Sequence, residues 1–314
     1  MQLTQPIVFE PLFMERIWGG RRLESLFGKH LPAGQRIGES WEIVDREEAQ
    51  SVVHNNPLRG KTLNELWTEY REPVFGKNTA STSPRFPILF KLLDAQERLS
   101  VQVHPPARVA DILKGEPKTE MWYVADTYLD SDIFAGLKKG VGRDDFERAL
   151  HDGKVAEKIH RLPMSPGDAI FIPSGRIHAI GAGNVIVEVQ QNSDTTYRVF
   201  DWNRLGLDGK PRELHIAESM QSIDFDDIEP GIAKPKGETV VNCDYFHVEK
   251  WTLDKDRPAF DDGKFAIFTM LSGEATCGEG RFRPGDFFLV PSIQEDRILR
   301  PVNGSATLLR TTIP

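Results

Sequence analysis

"PGDAIFIPSGRIHAIG", residues 166–181, reads as a Pro-Gly-Asp turn, a four-residue apolar strand, a second turn and a histidine. Pro173 ends the strand because proline brings no N–H to a ladder. Pro-Ser-Gly then reverses the chain tightly, and His178 re-enters on the strand that follows. The same turn and strand recur as PGDFFLVP, 284–291, and close with proline at the same distance. The echo points to a duplicated β-unit. In the second copy Ile293 and Asp296 stand where Gly175 and His178 stand in the first, so chemistry carried by His178 is missing there.

Outward from this stretch the chain is mostly short apolar runs divided by Gly, Pro, Asp and Asn. Residues 88–93, 99–104, 120–125, 185–190 and 197–201 read as strands of an antiparallel sandwich or barrel. Thr62-Leu-Asn-Glu65 has capping-box form, and Leu63, Leu66, Trp67 and Tyr70 follow at helical spacing. Residues 106–114, 144–159 and 213–222 also carry helical patterns, the second weakened by Gly153. The acidic, then Pro/Gly/Lys-rich stretch 224–239 reads as a linker, and strands resume after it.

Composition excludes several classes. With 314 residues the chain suits one large domain or two ordinary ones. A net charge of −8 without a Lys/Arg cluster argues against nucleic acid, and no apolar run approaches a membrane span. The opening MQLTQPIVFEPLF lacks a basic region and a small-residue cleavage site, and Cys243 and Cys277 form no framework. A cytoplasmic protein is expected.

Chemistry concentrates in two strands and the turn. In LSVQVHP, 99–105, Ser100, Gln102 and His104 share one face of a strand while Val101 and Val103 share the other. In KTEMWYV, 118–124, Lys118, Glu120 and Trp122 share a face. By itself each pattern is as well read as a polar face in water. Taken together, His104, Glu120 and His178 are two imidazoles and a carboxylate, with Gln102 as a neutral oxygen donor. That set suits a divalent first-row metal with positions left for water or substrate.

Gly167, Pro173, Gly175 and His178 match G-x5-P-x-G-x2-H, the second motif of the cupin superfamily, whose members are small jelly-roll barrels with a metal inside. The stretches RIWGG (16–20), GESWEI (38–43), FKLLDA (90–95), LSVQVHP, KTEMWY, PSGRIHAIG (173–181), SDTTYRVFDW (193–202) and LHIAES (214–219) resemble, in order, the type I mannose-6-phosphate isomerases, in their short bacterial form. The resemblance implies Gln102, His104, Glu120 and His178 as metal ligands and Arg198 as the catalytic arginine. It also implies Lys118 in the substrate pocket and Glu188 as a carboxylate that handles protons. HPP in place of HPD, and a short interval between His104 and Glu120, depart from the family pattern.

The expected fold is therefore mainly β, two cupin-like jelly-roll barrels with a few helices in the first. Residues 1–225 would hold the metal, and 226–314 would be cupin-like without ligands. The expected activity is interconversion of mannose 6-phosphate and fructose 6-phosphate through a cis-enediol, with one Zn2+ or similar ion per chain and no nucleic acid or membrane as partner. A cupin dioxygenase with non-haem iron and a non-catalytic sugar-binding cupin are the alternatives. Structural roles also remain open: Lys118 as a solvated lysine, Arg198 as half of an ion pair, Glu188 as an exposed carboxylate.

Overall fold

A computed structural model describes residues 3–77, 79, 82–128, 130–261 and 263–314. Its strands form three antiparallel sheets with helices inserted between them. The first is six-stranded, in the order Leu12–Gly20, Ile37–Ile43, Ile88–Ala95, Asn184–Gln191, Glu120–Thr127 and Ala169–Ile172. A five-stranded second sheet runs Tyr197–Phe200, Val101–Val103, His178–Ile180, Asp132–Leu137 and Ile159–Pro163. The third, seven-stranded, is built on the long antiparallel pair Ala266–Cys277 and Ile298–Thr312.

The jelly-roll barrels expected from the motif are not formed. Closure needs a ladder between the first and last strands of a sheet. Here Leu12–Gly20 and Ala169–Ile172 remain opposite edges of the first sheet, and Tyr197–Phe200 and Ile159–Pro163 remain edges of the second. The turns and short strands form where the local pattern places them, but that pattern carries no information about which edge strands meet.

Strand alternation sets the layers. Val185, Val187 and Val189, with Ile88, Phe90 and Leu92, pack from the first sheet against Ile267, Phe287, Leu289 and Leu309 of the third. The opposite face of the same strands carries Trp122, Val124, Leu93 and Ile186, which pack with Ile133, Ala135 and Ile180 of the second sheet. Beyond the second sheet, Val101, Val103 and Val199 pack with Phe146 and Ile223 in the helical layer. Polar residues on the inner faces of the first two sheets therefore point into the space between them.

Both PGD copies form the same turn. Asp168 Oδ2 accepts from the Ser165 amide at 2.8 Å, and Asp286 Oδ2 accepts from the Arg283 amide at 2.8 Å. Ala169–Ile172 and Phe287–Val290 follow as four-residue strands. The helix Leu63–Glu69 starts with both bonds of its capping box. Region 106–114 is helical only over Ala107–Ala110, and region 144–159 breaks at Gly153, whose φ of 68° ends Arg143–His151 before a short 3₁₀ turn. The glycines of RIWGG and GESWEI have a steric reason. A Cβ on Gly19 would stand 2.3 Å from the backbone nitrogen of Gly38, so the first two strands approach too closely for side chains.

Candidate metal centre and active-site cavity

The turn in PSGRIH holds both histidines. Gly175, at φ 94°, takes a conformation that costs other residues free energy, and its amide donates to the His104 carbonyl at 2.9 Å. The next residue's carbonyl, that of Arg176, accepts from His178 Nδ1 at 2.9 Å, while the Thr195 carbonyl accepts from His104 Nδ1 at 2.8 Å. A carbonyl can only accept, so both rings carry their proton on Nδ1 and present the Nε2 lone pair. Arg176 is itself fixed by a two-pronged pair with Asp227 at 2.7 Å.

Those Nε2 atoms converge on Glu120, the first residue of its strand in the opposite sheet. His104 Nε2 lies 3.5 Å from Glu120 Oε2, and His178 Nε2 lies 3.5 Å from Oε1. The three donor atoms lie within 4.8 Å of one another, and all three residues are buried. Neither Nε2, nor Oε1 of Glu120, has a hydrogen-bond partner among the described residues. Buried polar atoms without partners are costly, and three of them aimed at one point fit a divalent metal ion. Burial pulls the His178 imidazole down to about 3, helped by the neighbouring His104, and burial and Lys118 lower His104. Burial alone would raise Glu120, but Lys118 and His104 outweigh it and keep it ionised. Neutral imidazoles and a carboxylate are the protonation states a metal requires.

A cavity of about 550 Å³ opens beside this cluster, lined by Ser100, Gln102, Lys118, Glu188 and Arg198 among others. Gln102, Lys118, Glu188 and Arg198 thus line a cavity beside the His104, Glu120 and His178 cluster. Lys118 is buried rather than solvated, with Nζ 2.8 Å from Glu120 Oε2; burial opposes its charge, but Glu120 and Glu188 raise it further. Glu188 is buried too, because its strand face looks into the cavity instead of into water. It accepts from Trp122 Nε1 at 2.8 Å, and burial, reinforced by Glu120, pushes its carboxyl up to about 7. Arg198 lies across the cavity on the second sheet, where it is the register partner of Gln102. Its Nη1 donates to the Glu213 carbonyl at 2.9 Å, and its buried Nε has no partner among the described residues.

Sequence reading missed a second layer of charges. Lys91 lies 3.6 Å from Glu188 and 3.5 Å from Glu39, and Glu39 accepts from Arg16 at 2.9 Å and from Trp41 at 2.7 Å. Burial would raise Glu39, but Lys91 and Arg16 outweigh it and hold the carboxyl at about 2. The available signal was a lysine inside the otherwise apolar run ILFKLL. In the second PGD copy, both oxygens of Asp296 accept from Arg300 Nη1 at 3.0 Å.

Open antiparallel sheets, a buried two-histidine, one-carboxylate centre and a cavity lined by both cations and carboxylates define a metal-dependent enzyme. Residues 7–127 match the family described as phosphomannose isomerase type I, catalytic domain. The chain is 38% identical over 301 residues to the mannose-6-phosphate isomerase ManA of Bacillus subtilis (strain 168), covering 92% of this chain and 93% of the relative. It is 34% identical to a mannose-6-phosphate isomerase of Streptococcus mutans, over 92% and 93% of the two chains. The crystal structure of the mannose 6-phosphate isomerase from Bacillus subtilis superposes with a TM-score of 0.86 at 33% identity, covering 98% of this chain and all of that one. The chain belongs to the type I phosphomannose isomerases and is a metal-dependent isomerase. Among the described residues, no helix is long and apolar enough to cross a membrane.

Proposed function

We propose that the protein interconverts mannose 6-phosphate and fructose 6-phosphate. The observation that carries this reading is the buried His104–Glu120–His178 cluster, whose Nε2 atoms and Glu120 Oε1 have no hydrogen-bond partner among the described residues, beside a cavity that also holds Lys91, Lys118 and Arg198. His104, Glu120 and His178, with Gln102 as fourth ligand, would hold a divalent ion such as Zn2+, which supplies Lewis acidity toward sugar oxygens without redox chemistry. Glu188 is the base: it takes the proton from C2, the C1–C2 double bond forms, and the aldehyde oxygen is protonated. Return of the proton to C1, with loss of the O2 proton, leaves the ketose. A carboxyl near neutrality suits both directions of this transfer. Lys118 and Arg198 offer positive charge to the enediolate where it develops.

Residues 1–225 form the catalytic part, and 226–314 act without a metal, a division supported by the engagement of Asp296 with Arg300. A cytoplasmic setting suits the two cysteines, which are unpaired. The test is a coupled assay for fructose 6-phosphate formed from mannose 6-phosphate. Oxygen uptake without isomerisation would favour dioxygenase chemistry instead, and sugar binding without turnover a regulatory module.

A further inference from the structure

At the mouth of the cavity, two guanidinium groups, those of Arg204 and Arg212, share one carboxylate. Asp201, 6% exposed, accepts from Arg212 through Nε at 2.7 Å and Nη2 at 2.5 Å, and from Arg204 Nε at 3.0 Å. Arg198, three residues before Asp201, is close enough to feel the charges of the group, and its Nη1 donates to the Glu213 carbonyl instead. Besides Asp201, Glu213 acts on Arg198 and Glu97 on Arg204, so the negative charge is spread over several groups around the three arginines. The neighbouring Asp194 and Asp208 are exposed, so water screens them. Burial lowers Arg198, and Arg212 lowers it further, while in Arg204 burial lowers the group against the opposing pull of Asp201, with Arg212 adding a smaller lowering. A structural ion pair would need one arginine for Asp201, and this chain, at −8 overall, has no general excess of cations to place here.

We propose that Arg212 is the residue that recognises the phosphate group of the substrate, with Asp201 and Arg204 holding it in position. This rests on the sugar-phosphate isomerase reading. A phosphomonoester carries about −1.5 to −2 at neutral pH and three acceptor oxygens, which suit a guanidinium held with one edge open to the cavity mouth. Asp201 engages the Nε and Nη2 edge of Arg212 and fixes the plane of its fork, and no hydrogen bond among the described residues engages Nη1. Arg204 offsets the charge of Asp201, so that of Arg212 remains for a ligand. Placement separates Arg212 from Arg198. Arg198 is paired in register with Gln102, beside the metal centre, whereas Arg212 sits with the exposed Leu207 and Asp208 at the mouth. A sugar with C1 and C2 at the buried cluster would present its C6 phosphate toward that mouth.

The test compares wild type with Arg212→Ala and Arg212→Lys, each checked for metal content and Tm. Steady-state kinetics with mannose 6-phosphate should show KM raised roughly 10- to 100-fold in Arg212→Ala, the range for loss of a charged hydrogen bond, with kcat within about threefold. Competitive inhibition by inorganic phosphate should weaken in parallel, and lysine should restore only part, since a point charge lacks the fork. A folded, metal-loaded Arg212→Ala with unchanged KM and phosphate inhibition overturns the assignment. So does a fall in kcat at unchanged KM, which would mark Arg212 as a support for the loop. If alanine does not fold, Arg212→Lys carries the same comparison. Should wild type not isomerise the sugar at all, the isomerase reading fails, while calorimetric titration of both proteins with inorganic phosphate still decides the role of Arg212.

Discussion

His178 and Glu120 face each other from different sheets, Nε2 of the one 3.5 Å from Oε1 of the other. Neither atom has a hydrogen-bond partner among the described residues, so the contact makes sense as two halves of a ligand set. His178→Ala should therefore lose metal binding far more than folding stability. Chelation of wild type should abolish isomerase activity, with recovery on adding Zn2+, and elemental analysis should give about one ion per chain. Full turnover by exhaustively demetallated protein would overturn the metal site.

Arg198→Ala should depress kcat roughly 10²–10³-fold, the usual loss for a donor aimed at transition-state charge, and change KM little. The contrast with Arg212→Ala, whose effect falls on KM, is the informative comparison. An Arg198→Ala enzyme with near-normal constants removes it from the reaction.

Glu188 has a carboxyl raised to about 7 and must be ionised to act as a base. The rate should fall as pH drops, with a midpoint at or below 7, since a divalent cation at Glu120 would draw the carboxyl down. Glu188→Gln should lower kcat on the order of 10²–10⁴-fold and remove that limb from the pH profile. A glutamine variant that keeps its rate and its limb assigns the base elsewhere.

Glu39 behaves oppositely. Its folded carboxyl, held at about 2, lies below the ordinary value of 4.5, so it contributes stability above pH 4.5 that is lost as pH falls toward 2. The shift corresponds to about 3 kcal/mol at neutral pH. Glu39→Gln should lower stability in denaturant at pH 7 by that order, and the two proteins should converge near pH 2. Equal stability at pH 7 would show that Lys91 and Arg16 do not depend on Glu39.

Gly175→Ala should strain a backbone at φ 94° and push a Cβ to 3.3 Å from the Ser222 carbonyl, at a cost of roughly 1–3 kcal/mol. Because the Gly175 amide holds the His104 backbone and the same turn carries His178, metal affinity should fall along with Tm. Unchanged affinity at lowered Tm would mean that the turn stabilises the fold without aiming the ligands.

Local sequence determined a good deal here. Turn residues and apolar runs placed Ala169–Ile172, the neighbouring strands and the capped helix Leu63–Glu69, because those signals act over a few residues. Alternation also put Gln102 opposite Val101 and Val103, and the ordered motifs carried His104, Glu120, His178, Lys118, Glu188 and Arg198 to one region. Tertiary structure alone decided whether the strands close into barrels, since closure depends on which distant edges pair, and they stay open. It also decided that the Glu188 face borders a cavity rather than water, that Lys91 and Glu39 lie beside it, and that Asp201 gathers Arg204 and Arg212. Each of those charges is ordinary along the chain. Its meaning comes from neighbours on other strands and loops, and from the loss of solvent that packing imposes on all of them.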